Sequence, residues 1–116
     1  MSDQATNDAL TDVNGVHERL ADIQLVDCRE PYEWEAGRID GAVHIPLNSI
    51  MAGAGSELDT DTPVAVICRT GNRSELATMM LQARGYEAYN VAGGMEAWAS
   101  KGLPFKAGDG SPGRVA

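Results

Sequence analysis

The stretch that decides the fold is Pro63-Val64-Ala65-Val66-Ile67-Cys68-Arg69-Thr70-Gly71-Asn72-Arg73-Ser74. Four apolar residues without a polar break read as a strand covered on both faces, the mark of a central strand in a parallel sheet. From about residue 73 to 84 the pattern becomes helical, with Leu76, Met80 and Ala83 on one face and Gly85 as the C-terminal cap. A strand running into a helix is half of a crossover unit, and parallel neighbours need crossovers.

The same alternation continues in both directions. Residues 23–28 (IQLVDC) read as a buried strand, Pro31 opens a short helix that Gly37 ends, and residues 41–46 (GAVHIP) form another strand. Further on, residues 87–91 are a strand, Gly93-Gly94 a turn, and residues 95–100 a last helix stopped by Gly102 and Pro104. Upstream, Asn14 is the candidate cap of a short helix carrying Val16 and Leu20. Residues 47–61 keep no steady period and read as a short helix followed by loop. The fold class is therefore α/β with a mainly parallel sheet. A single domain is expected over 9–106, with a flexible N-terminus at 1–8 and a flexible Gly-rich tail at 107–116.

Composition bounds the function. The chain of 116 residues, 43% hydrophobic, is long enough for one core and too short for two. A net charge of −8 with nine basic residues argues against nucleic acid, whose phosphates call for clustered Lys and Arg. Residues 1–61 carry 13 acidic and 3 basic side chains and residues 62–116 carry 4 and 6, so the candidate site falls in the less acidic part. No apolar run approaches the roughly 20 residues that span a bilayer, and no basic-then-apolar leader opens the chain, so a cytoplasmic protein without a membrane partner is expected. Cys28 and Cys68 are too few for a disulfide framework, and His17 and His44 stand alone without any C-x-x-C. Neither a metal nor a cofactor is expected.

Cys68 is the candidate nucleophile, since open α/β sheets bind ligands at the carboxyl ends of their strands. Gly71 permits, and Asn72 tolerates, backbone angles that let the loop curl until several N–H groups converge on the sulfur. The following helix start and the cations Arg69 and Arg73 further favour thiolate over thiol. A cysteine ending a strand is more often plain core. Two of nine basic residues and a glycine within six positions tip this one toward chemistry. Asp27 and Arg29 share one side of their strand by its period of two, whereas Cys28 points the other way, into the core and away from the loop. Cys28 reads as a Val-like core residue or, in the sharper alternative, as a resolving thiol. Trp34 and Trp98 read as packing.

Cys68 to Ser74 resembles the active-site loop of the rhodanese family. The segments LVDCREPYEW at 25–34, GRIDGAVHIP at 37–46 and AGGMEAW at 92–98 are similar to that family's other hallmarks, in the same order. The resemblance spans roughly residues 10–105. It implies a five-stranded, mainly parallel sheet flanked by helices on both faces. It also implies transfer of sulfane sulfur, from thiosulfate, a small-molecule persulfide or a protein persulfide, to cyanide or a thiol through a Cys68 persulfide. On this resemblance Cys68 is catalytic, and Arg69, Thr70, Gly71, Asn72 and Arg73 bind substrate, the two arginine side chains holding an anionic donor at the mouth. Asp27, Arg29 and Ser74 support the loop. Cell-cycle dual-specificity phosphatases resemble rhodaneses and share a D-C-R-x-P-Y-E segment, but their loops place five residues between cysteine and arginine where this chain has four. Non-catalytic rhodanese-like modules usually lack the cysteine, which is kept here.

Overall fold

The structure, a computed structural model, describes residues 8–116. Apart from Asp8, the expected flexible N-terminus lies outside the described residues. Four strands, β1 (Gln24–Asp27), β2 (Val43–His44), β3 (Val64–Ile67) and β4 (Ala88–Asn90), pair in the order β2-β1-β3-β4. Every pairing is parallel, with Asp27 opposite Ile67, Asp27 also opposite His44, and Val66 opposite Asn90. The continuous VAVI run is one of the two inner strands and all four of its residues are buried.

Among the described residues, five α-helices connect or flank them: α1 (Val13–Glu18), α2 (Pro31–Ala36), α3 (Leu47–Met51), α4 (Asn72–Ala83) and α5 (Gly94–Ser100). Strand alternation sends Val26, Cys28, Val64, Val66 and Cys68 to one face, where they meet Ile50 of α3 and Ala77 and Leu81 of α4. It sends Leu25, Ala65 and Ile67 to the other, against Val13 and Val16 of α1 and Met95 and Trp98 of α5. The expected helix-flanked parallel sheet is present.

Several expectations are corrected. The sheet has four strands among the described residues, not five. Among the described residues upstream of β1, the chain forms α1 and short 3-10 turns at Ala9–Thr11 and Leu20–Asp22, and none of these is a strand. Asp12, not Asn14, caps α1, its carboxylate accepting the Gly15 N–H at 3.3 Å. Helix α4 is rotated from the expected face: Ser74, Ala77, Thr78 and Leu81 are buried, while Leu76 is 44% exposed. That set keeps the i, i+3, i+4, i+7 spacing but starts from a polar residue, because Ser74 must face Cys68.

The C-terminal residues, expected as a free tail, fold back on the domain. Lys106 and Arg38 exchange backbone hydrogen bonds of 2.8 and 3.0 Å, the Arg114 N–H donates to the Ala36 carbonyl at 3.0 Å, and Val115 packs on the second apolar cluster. Gly37 is needed where this segment crosses, since a Cβ there would lie 2.5 Å from the Arg114 carbonyl oxygen. No helix among the described residues is long and apolar enough to cross a membrane.

Candidate active site

Cys68 follows β3 directly, and the chain then turns through Arg69 and Thr70 to Gly71, whose φ of 105° is open to glycine at little cost. That turn aims backbone donors at the sulfur. The Gly71 N–H lies 3.1 Å from Cys68 Sγ, the Ser74 N–H 3.4 Å and the Ser74 hydroxyl 3.3 Å. The 12-residue helix α4 begins at Asn72, so its positive end faces the same atom.

Ser74 has one hydroxyl proton and two acceptors. Its Oγ is 2.5 Å from Asn90 Oδ1, and Asn90 is oriented by its own Nδ2, which donates to the Gly71 carbonyl at 3.0 Å. The shorter contact takes the proton preferentially, so the two backbone amides are the steadier donors to sulfur. Asn90 therefore ties β4 to the middle of the loop at Gly71 and to its end at Ser74. Helix α5 holds the loop from outside: the Met95 N–H donates to the Cys68 carbonyl at 2.8 Å and the Glu96 N–H to the Arg69 carbonyl at 3.0 Å. Such an approach needs Gly94, where a Cβ would sit 2.4 Å from the Cys68 carbonyl oxygen.

Both loop arginines are held by carboxylates. Arg73 makes a two-pronged pair with Glu33 of α2, at 2.7 and 2.8 Å, and Glu33 is buried. The Arg73 guanidinium holds the Glu33 carboxyl below the usual carboxylate range, and the Glu30 N–H adds to this at 2.9 Å. Arg69 pairs with Glu96 at 3.1 Å, both side chains being about half exposed. The two arginines expected to hold an anionic donor at the mouth thus each carry a carboxylate partner. Thr70 and Asn72 lie exposed on the rim, whereas Cys68 itself is 1% exposed and sits inside the loop rather than at its mouth.

Asp27 and Arg29 form a buried ion pair, with Arg29 Nη2 2.7 Å from Asp27 Oδ2 and 2.6 Å from the Gly37 carbonyl oxygen. Arg29's carbonyl meets His44 Nε2 at 2.7 Å. Their hydrogen bonds tie the end of β1 to the end of α2 and to β2, and the Arg29 charge acts toward the Cys68 loop only through Glu33, the carboxylate that holds Arg73. Ser74 reaches the Cys68 sulfur directly.

Cys28 corrects the sequence reading more sharply. It points into the core, as expected, but not away from the loop, because the core on that face includes Cys68. The Cys28 thiol, then the Ser74 hydroxyl and amide and the Gly71 amide, hold the Cys68 thiol down to about 4 against the opposing effect of burial. The same contact, with burial and the thiolate's charge, pushes Cys28 far up, so Cys28 keeps its proton and Cys68 gives its own away.

Glu33, Asn90 and Gly94 were missed as site residues. Glu33 carries a local signal, standing three residues after Glu30 with Pro31 between, the spacing of a capping box. Gly94 lies inside the AGGMEAW hallmark. Nothing local marks Asn90, whose role comes from its register beside β3.

Among protein families, the rhodanese-like domain matches residues 12–101. A protein of Allochromatium vinosum named a sulfurtransferase is 39% identical over 103 residues, covering 85% of this chain and 95% of that protein. A rhodanese-related protein from Thermoplasma volcanium has a crystal structure of TM-score 0.77 and 30% identity, covering 82% of this chain and 94% of its own. A rhodanese-like domain protein from Staphylococcus aureus follows at TM-score 0.71 and 30% identity, with 83% and 96% covered. With most of its length matched by the family and its cysteine loop intact, the chain belongs to the rhodanese-like domain family.

Proposed function

We propose that the protein is a sulfurtransferase that carries sulfane sulfur on Cys68, taking it from thiosulfate or a persulfide donor and passing it to cyanide or a thiol. The observation that carries this reading is a strand-end cysteine whose sulfur faces two backbone N–H groups and a hydroxyl within 3.4 Å. Such a setting keeps the nucleophile ionised without a general base. The Cys68 thiolate attacks the outer sulfur of thiosulfate, a Cys68 S–S bond forms, the S–S bond of thiosulfate breaks, and sulfite leaves with the bonding pair. The persulfide's charge then rests on its terminal sulfur, within the same ring of amides. An acceptor attacks that terminal sulfur and Cys68 leaves as thiolate. Because Cys68 is 1% exposed, a donor must insert its terminal sulfur into the loop, which favours slender donors over branched ones.

The test is an intact-mass spectrum after thiosulfate treatment, before and after a reducing wash. In the first spectra after mixing the natural protein should carry one reducible extra sulfur, and with cyanide present it should turn thiosulfate over to thiocyanate. Cys68→Ser should do neither. If Cys68→Ser still gains the sulfur, the carrier is another residue.

A further inference from the structure

The second cysteine stands where it can finish a reaction that the first begins. Strands β1 and β3 run parallel with Asp27 opposite Ile67, and the Cys28 N–H donates to the Ile67 carbonyl at 3.0 Å. The register therefore continues one step past both strands and sets Cys28 beside Cys68. Neighbouring strands lie about 4.8 Å apart, inside the roughly 4.4–6.8 Å Cα range that a disulfide spans. Both side chains fall on the same face, with Val26 and Val66 preceding them by one period. Neither is open to water, at 0% and 1% exposure, so the thiol nearest to a sulfur loaded on Cys68 belongs to the protein itself.

We propose that Cys28 is a second catalytic residue, a resolving thiol that attacks Cys68 Sγ in the persulfide, closes a Cys28–Cys68 disulfide and expels the terminal sulfur as hydrosulfide. This inference rests on the Cys68 persulfide proposed above. The atoms and electrons balance within the pair. The new bond joins Cys28 Sγ to Cys68 Sγ, the bond from Cys68 Sγ to the outer sulfur breaks, and the Cys28 proton leaves on that sulfur. The sulfane sulfur is reduced by two electrons, and the two cysteine sulfurs are oxidised by one each. A solution dithiol then reduces the disulfide by thiol exchange and returns the protein to its starting state.

The arrangement divides the fate of the bound sulfur by attack position. An outside acceptor takes the terminal sulfur from the open side of the loop, while Cys28 reaches the inner sulfur from the core side. Hydrosulfide is released when the acceptor is absent, and transfer competes with it when the acceptor is abundant.

The experiment uses the full chain, reduced and freed of thiols, mixed with one equivalent of thiosulfate without cyanide at mildly alkaline pH. Intact mass and sulfide trapped with a bimane reagent are followed together. The natural protein should pass through the persulfide to a species two hydrogens lighter than the reduced chain, with one equivalent of sulfide and a Cys28–Cys68 cross-linked peptide. Cys28→Ser and Cys28→Val, each checked for folding by circular dichroism, should stop at the persulfide and release no sulfide. If natural protein and variants all hold the persulfide, or all shed sulfide equally, the resolving role is overturned and the carrier role stands. If no protein loads sulfur, the carrier role fails and takes this inference with it.

Discussion

Two thiols in one buried site cannot both ionise cheaply, and the surrounding donors decide which does. Cys68 takes the charge, with a folded value of about 4 against an ordinary 9.0. The stability this thiolate contributes is complete above about pH 9, where the unfolded thiol also ionises, and is lost as pH falls through 4. Cys28 works in the opposite sense. Its folded value is raised, so its contribution is present below the ordinary thiol range and lost as pH climbs above it. The thiolate absorbance of the natural protein should therefore persist down to about pH 4. Cys28→Val and Ser74→Ala should both move that midpoint upward, Cys28→Val by more, because Cys28 is the largest single influence on Cys68 and the Ser74 proton is shared with Asn90. An unmoved midpoint in Cys28→Val would show that the two sulfurs do not communicate.

Helix α5 acts as a backstop for the loop, and Gly94 is what lets it approach. At φ 56°, with a Cβ facing carbonyl oxygens at 2.4 and 2.6 Å, Gly94→Ala should cost roughly 3 kcal/mol and push the Cys68 midpoint up as the loop shifts. Gly85→Ala is the comparison. Its φ is 97° but nothing lies within 4 Å of the added carbon, so only the backbone term of about 1 kcal/mol remains and the thiol should be untouched. Equal losses measured by urea unfolding would remove the packing argument. At this scale much was legible. The VAVI run, Pro31 and the Gly37, Gly85 and Gly93-Gly94 punctuation placed the strands and helices because each is a local signal. The face of α4 was not legible: apolar periodicity favoured Leu76 and Met80, whereas the sulfur at the helix start required Ser74 inward. The capping of α1 by Asp12 was likewise a choice between two good caps two residues apart.

For the whole molecule, chemistry and scaffolding sit on different faces of the sheet. The Cys68 face is packed by α3 and α4. The other, packed by α1, α5 and the returning C-terminal segment, holds a cavity of about 640 Å³ lined by Trp34, Arg38, Trp98 and Phe105 and without Cys68. Removing residues 106–116 takes away the Lys106 and Arg114 backbone bonds and bares Phe105 and Gly37. That truncation should lower Tm by several degrees, for a loss of about 1–2 kcal/mol, and leave the Cys68 midpoint where it was. A shifted midpoint would mean that the returning segment reaches the loop, through α2 and its Glu33 or through α5. Neither the return of this segment nor the meeting of Cys28 with Cys68 could be read along the chain, since both depend on which strands become neighbours. Segment order on the ribosome gives that same dependence a consequence. Asn90 and Gly94 are synthesised after Cys68, so a nascent chain stopped before β4 should carry two ordinary thiols, alkylated at neutral pH no faster than free cysteine. That outcome would mean that the nucleophile matures only when its last neighbours arrive, and that an unfinished polypeptide is spared sulfur chemistry it could neither direct nor reverse.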